Sequence, residues 1–248
     1  MELLHAFCSQ GIFKVGLYDL ISRLFSKSLA VSKKTTSDAP SRSTDWGDSP
    51  PLIIFILGPP GAGKDTHSKR LRRDFPGLTH LSYGEMLRYQ ASIPASWVST
   101  FPRRHGLDGN PVLPAPDGVR LLRQTIASGA TVHGQRIWLV DGFPRTKAHM
   151  DAWAAARMPR ARCAFFLRCD GEVLVRRIQG RAGTSGRPDD ADEEKVRERV
   201  ARNIRESGEM LRACRDAAVP VVEIDADRDP DAVYGDIRRH FEANVCAA

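Results

Sequence analysis

The arrangement of apolar and polar positions changes near residue 52. From there, short unbroken apolar runs alternate with longer stretches whose apolar residues return every three or four positions. Runs at 52–57, 79–82, 137–141, 163–168 and 219–224 read as strands. The first, Leu52-Ile53-Ile54-Phe55-Ile56-Leu57, has no polar residue on either face, which predicts a strand covered on both sides. Helical spacing marks 64–74, 84–91, 117–128, 147–156, 171–181, 193–215 and 230–243. Strands separated by helices predict right-handed crossovers and an α/β fold, a parallel sheet of about five strands with helices on both faces. A ligand on such a sheet belongs at the carboxyl ends of the strands.

Residues 1–49 follow a different pattern. Leu3, Leu4, Phe7, Ile12, Phe13, Leu17, Leu20, Ile21, Leu24 and Phe25 recur with approximate helical spacing. Lys14, Arg23, Lys27, Lys33 and Lys34 outnumber the acids Glu2 and Asp19, and 35–51 is a Ser/Thr/Asp/Pro-rich stretch that reads as a disordered linker. The expected organisation is thus an extension over 1–49, partly disordered or targeting, followed by one folded unit over 50–246. A basic amphipathic start serves organelle targeting or membrane-surface binding. The two acids and few arginines weigh against targeting, so the expected location is cytoplasmic, or mitochondrial if this segment is a transit peptide. No apolar run is long enough to span a bilayer.

At 248 residues, 42% apolar and 27% charged, the chain has the makings of one sizeable domain with a substantial core. Its net charge of +7 suits an anionic partner, nucleotide or nucleic acid. Much of the arginine falls between Arg168 and Arg215, on helix-like stretches, which favours a phosphate site over a nucleic-acid arm. The cysteines at 8, 163, 169, 214 and 246 form no C-x-x-C pair and no metal-ligand spacing, so zinc is not expected. Cys163 and Cys169, flanking Ala164-Phe165-Phe166-Leu167, read as small buried apolar residues, reduced in their compartment.

Chemistry enters directly after the first strand. Gly58-Pro59-Pro60-Gly61-Ala62-Gly63-Lys64-Asp65-Thr66 joins that strand to a helix. Glycines allow successive backbone N–H groups to turn inward around phosphate oxygens, and the helix N-terminus adds its positive dipole end. Lys64 would reach the β- and γ-phosphates, and the Thr66 hydroxyl would lie near an accompanying Mg²⁺. A plain Gly/Pro connector would need none of this. The motif predicts nucleoside triphosphate binding.

Four further blocks follow in order. Leu81-Ser82-Tyr83-Gly84-Glu85-Met86-Leu87-Arg88 opens a helix, and Val140-Asp141-Gly142-Phe143-Pro144-Arg145 ends a strand. Arg181 and Ser185-Gly186-Arg187-Pro188-Asp189-Asp190 make a short glycine-containing loop, and Val222-Glu223-Ile224-Asp225-Ala226 is the last apolar run. With the phosphate loop, these resemble the adenylate kinase and UMP/CMP kinase family of nucleoside monophosphate kinases, short-lid type, from about Leu52 to Ala243. The resemblance implies a P-loop NTPase-type sheet with two small inserts. One, over about 82–115, binds the nucleoside monophosphate; the other, about 181–192, is the lid.

It also implies transfer of the γ-phosphoryl group of Mg·ATP to a nucleoside monophosphate, AMP first by family frequency, then UMP or CMP. In that reading Gly58, Gly61, Ala62, Gly63, Lys64, Asp65, Thr66 and Arg181 meet ATP. Tyr83, Arg88, Gly142, Arg145, His149, Arg187 and Arg199 meet the acceptor. Lys64, Arg145, Arg181, Arg187, Arg199 and Asp141 serve catalysis by surrounding two polyanions with fixed charge, and arginine's planar fork grips phosphate oxygens. Thr66 and Asp141 attend Mg²⁺, directly or through water. Without the motifs each arginine reads as a solvated surface cation, and that is the reading for Arg176, Arg177, Arg202 and Arg205. One residue more than usual separates Arg187 from Arg199, which leaves Arg197 as a substitute. Asp189 and Asp190 read as caps of the next helix or partners of lid arginines. The family further implies a monomer, and nothing in the sequence calls for nucleic acid.

Four positions depart from the family's pattern. Asp65 replaces the usual glycine; facing a phosphate about 6 Å away at effective ε near 20, it would cost about 3 kcal/mol per unit charge. It is therefore expected to turn away from the nucleotide. Tyr83 replaces Thr or Ala, so a ring must reshape the acceptor pocket or stack on the base. His149 stands where Gln commonly reads adenine, or else is a partly exposed helix residue. Pro94, Pro102 and Gly106 interrupt 90–110, and Gly109-Asn110-Pro111-Val112-Leu113-Pro114 only loosely matches the element framing the acceptor base. These departures leave open a nucleotide-binding regulatory protein with decayed activity. A nucleic-acid-binding P-loop ATPase explains the charge but not the Gly-Phe-Pro-Arg and Ser-Gly-Arg blocks.

Overall fold

The structure, a computed structural model, describes Trp46 and residues 49–94, 96–101, 113–181 and 188–246. Arg187, the whole of 102–112 and, apart from Trp46 and Ser49, the 1–49 extension lie outside the described residues. The sheet comprises β1 (Leu52–Leu57), β2 (Leu78–Ser82), β3 (Ile137–Asp141), β4 (Ala161–Arg168) and β5 (Val221–Asp225). Its order is β2-β3-β1-β4-β5, with every neighbouring pair parallel. Around it lie α1 (Lys64–Asp74), α2 (Tyr83–Ser92), α3 (Ala115–His133), α4 (Lys147–Ala155), α5 (Gly171–Gln179), α6 (Glu193–Asp216) and α7 (Pro230–Phe241).

Side chains of β1 alternate between two cores. Ile53, Phe55 and Leu57 join Val119, Leu122, Trp138 and Phe143 beneath α2, α3 and α4. Ile54 and Ile56 join Leu71, Leu174, Ile178 and Ile237 beneath α1, α5 and α7. Burial on both faces is why β1 reads as an uninterrupted apolar run.

The chain leaves β1 toward β2 on one side, whereas β4 lies on the other, so the crevice at the carboxyl end of β1 is where strand order reverses. There the chain turns at Gly58, with φ of 137°. A Cβ at this position would come 2.6 Å from the Leu167 carbonyl oxygen on β4, so glycine lets the loop cross against the neighbouring strand. Gly63, at φ 90°, then turns the backbone into α1.

Candidate active site

One cavity of about 770 Å³ opens at the carboxyl ends of β1, β2 and β3. It brings together Gly58, Gly61, Gly63, Lys64, Asp65 and Thr66 from the loop and start of α1. Tyr83 and Arg88 of α2 line it too, as do Asp141, Gly142, Arg145 and His149 around β3 and α4, and Arg181 and Arg199. Ala62 lies behind the loop, with its methyl in the core beneath α1.

Lys64 folds over its own loop, where Nζ donates to the carbonyls of Gly58 at 2.7 Å and Pro59 at 3.0 Å. Asp65 does turn along its helix, pairing with Lys69 at 2.5 Å while staying at the cavity mouth. Its charge is answered within α1, which weakens the case for lost activity.

Asp141 ends β3 almost fully buried, and the buried His80 on β2 faces its Oδ2 at 3.5 Å. Burial opposes the charged form, but His80 together with Lys64 and Arg145 outweighs it and holds the carboxyl below its ordinary value. Sequence reading passed over His80. Period-two alternation and the β2–β3 register, with His80 beside Leu139 and Ser82 beside Asp141, put His80 and Asp141 on the same face of the sheet, opposite Leu81.

The carboxylate at 190 organises the arginines. Asp190 is fully buried; it accepts from Arg199 Nη2, and Arg181 Nε lies 3.5 Å from its other oxygen. Capping α6 falls instead to Asp192, which accepts from the Lys195 N–H at 3.2 Å. Arg199 Nε and Nη1 are buried without a hydrogen-bond partner. Such donors are costly to leave unmet and suit an incoming anion. Arg197 points elsewhere, paired with Glu172 at 2.6 Å and Glu193 at 3.0 Å, so the cavity takes Arg199 rather than its substitute.

Arg202, read from sequence as a surface arginine, is half-buried on the cavity wall. Asn203, Glu206 and Met210 share that wall. The recurrence 199, 203, 206, 210 is one helical face, a signal that motif matching skipped. Met210, Leu87 and Leu113 add apolar surface to the cavity lining.

Tyr83 is buried, with its ring edge-on to Phe143 at 5.4 Å and His149 at 6.0 Å. Burial raises its hydroxyl pKa. His149 is buried rather than a partly exposed helix residue, and its Nδ1 pairs with the Thr146 hydroxyl at 3.0 Å. Desolvation, aided by the Arg145 charge, lowers its pKa to about 4 and keeps the ring neutral near pH 7. Among the described residues no group of three or more His, Cys, Asp or Glu could hold a metal ion.

Residues 56–214 match the sequence profile of the adenylate kinase family. The chain belongs to the adenylate kinase family. This family member is 31% identical over 195 residues to the UMP-CMP kinase of Rattus norvegicus, covering 77% of this chain and 97% of the relative. It is 32% identical over 194 residues to the uridylate kinase of Schizosaccharomyces pombe, covering 74% and 94%. The human UMP-CMP kinase is 29% identical over 195 residues, covering 77% and 97%. The chain is a nucleoside monophosphate kinase, and ATP and a nucleoside monophosphate are its nucleotide partners. Among the described residues no helix is long and apolar enough to cross a membrane.

Proposed function

We propose that the acceptor is a pyrimidine nucleoside monophosphate, UMP or CMP, ahead of the AMP expected from family frequency. The observation that carries this is that the three relatives described above, each covered over 94–97% of its length, are UMP-CMP or uridylate kinases. Neutral His149 offers one donor or acceptor at a time from its free edge, unlike an amide's paired pattern.

In this reading Lys64 Nζ leaves the Gly58 and Pro59 carbonyls for the donor's β- and γ-phosphates. Arg88 and Arg145 hold the acceptor phosphate, and Arg181, Arg187 and Arg199 answer the charge on the transferring group. An acceptor phosphate oxygen forms the new bond to the γ-phosphorus as the bond to the β–γ bridging oxygen breaks. That attacking oxygen is already ionised, so no general base is needed. Thr66 and the ionised Asp141 fit Mg²⁺ held mainly by the nucleotide and water, since this cation keeps several waters and takes few protein ligands. Bound there, Mg²⁺ supplies charge neutralisation on the β- and γ-oxygens. The proposal includes a monomer working in the cytoplasm, or in the mitochondrion if residues 1–49 direct it there.

An ADP-release assay with Mg·ATP and UMP, CMP, AMP or GMP tests the acceptor. Turnover should favour UMP and CMP at least about tenfold in kcat/KM and vanish in Lys64→Met. A preference for AMP sinks the pyrimidine reading.

A further inference from the structure

The guanidinium of Arg145 is held on two sides. Its Nε donates to the Gly142 carbonyl at 3.2 Å, and its Cζ lies over the Tyr83 ring, 5.0 Å from the centroid. A cation over a desolvated aromatic face is attracted by the ring quadrupole and held in orientation. Neither contact uses the Nη edge, the part of the fork that grips phosphate.

The ring is itself fixed. Phe143 and His149 stand edge-on to it, and at its far end the hydroxyl lies against the backbone of Gly118 in the first turn of α3. A Cβ at 118 would sit 2.2 Å from the Tyr83 hydroxyl oxygen, an impossible contact, but 3.3 Å from Cζ and 3.7 Å from Cε2. The glycine accommodates the hydroxyl and little else. Gly118 φ is not in the left-handed range, so space rather than backbone freedom is what glycine provides.

We propose that Tyr83 is a positioning residue for Arg145, a shelf seated in the notch of Gly118 that orients the guanidinium for the acceptor phosphate. The inference rests on the reading that Arg145 serves that phosphate. It assigns Tyr83 a role independent of the base, since the contact runs through the arginine.

The test uses full-length Tyr83→Leu, Tyr83→Phe, Gly118→Ala and Tyr83→Phe/Gly118→Ala, with Arg145→Ala alone and combined with Tyr83→Leu. Each is assayed for kcat/KM with UMP and AMP, for MgATP affinity and for thermal midpoint. Tyr83→Leu should lower kcat/KM roughly 3- to 30-fold, the range a cation–π contact accounts for, by the same factor for both acceptors. MgATP affinity should hold within about twofold, and Tyr83→Phe should keep activity within about threefold, because the ring face remains. Gly118→Ala should imitate Tyr83→Leu by pushing the ring aside. Removing the hydroxyl should then restore activity, so the Phe/Ala double variant exceeds Gly118→Ala alone, and this comparison stands even if Tyr83→Leu folds poorly.

In the Arg145→Ala background Tyr83→Leu should cost nothing further. A persisting loss there, a loss confined to one acceptor, or a double variant no better than Gly118→Ala overturns the proposal. If Arg145→Ala leaves acceptor kinetics untouched, the premise about Arg145 fails instead, which the series reports separately.

Discussion

Asp190 shows how one buried carboxylate sets the character of the arginines around it. Its two oxygens face Arg199 and Arg181, and both Asp190 and Arg199 are nearly inaccessible to water. Breaking a buried pair by removing one partner strands the other's charge, at about 3–5 kcal/mol. Asp190→Asn keeps the shape and removes the charge, so it should lower unfolding stability by about that amount, read from a urea titration. Adding Arg199→Met should recover most of the stability by removing the stranded cation, yet leave phosphoryl transfer crippled. Recovery of both would mean that Arg199 is structural only. Sequence reading placed Asp189 and Asp190 between capping and arginine pairing; Asp192 takes the cap because its side chain, one residue before α6, reaches the Lys195 N–H.

At the scale of elements, the strong apolar runs were legible and their ends less so. α1 spans the residues its periodicity marks, whereas α3 runs from Ala115 to His133, well beyond 117–128. Gly129 and the following Thr and Val look like a helix end because glycine and β-branched residues are weak helix formers. In the fold Gly129 is there for contact: a Cβ would come 2.6 Å from the Trp138 ring, so close packing against β3 overrides propensity. Period and composition carry no information about strand order, which is why β2-β3-β1-β4-β5 emerges only with the structure. The phosphate-loop half of the site was legible because its residues are contiguous; the α6 wall was not, because its residues are spaced along a helix. The junction of β1 and loop carries its own prediction. Gly58→Ala meets both a φ of 137° and the Leu167 carbonyl at 2.6 Å. It should destabilise by about 1–3 kcal/mol and weaken MgATP binding, measured by thermal midpoint and titration calorimetry. An unchanged midpoint would mean that the loop crosses β4 with room for a methyl group.

Across the whole molecule, two neutral histidines sit on opposite sides of the sheet and tie global stability to pH. His67 of α1 stacks on Tyr234 of α7 at 6.3 Å with 7° between planes, while His149 packs against Tyr83 and Phe143. Desolvation lowers the His67 pKa to about 4, reinforced by Arg70 and Arg177, and His149 is lowered to about 4 by burial and Arg145. Their ordinary value is 6.5, so between pH 6.5 and about 4 the unfolded chain binds protons that the folded chain refuses. The contribution to stability is therefore whole above pH 6.5, falls as pH drops toward 4, and levels off once both forms are protonated. Each histidine accounts for roughly 3 kcal/mol at most over that window. Asp141, depressed below the ordinary carboxylate range, adds its own loss at lower pH, so the two effects separate along the titration. The urea midpoint should fall steadily from pH 7 to pH 4.5 in the full chain. His149→Gln should remove about half of that slope, and His67→Gln should remove a similar share. A midpoint flat from pH 7 to pH 5 would show that both rings accept protons in place, which their burial argues against.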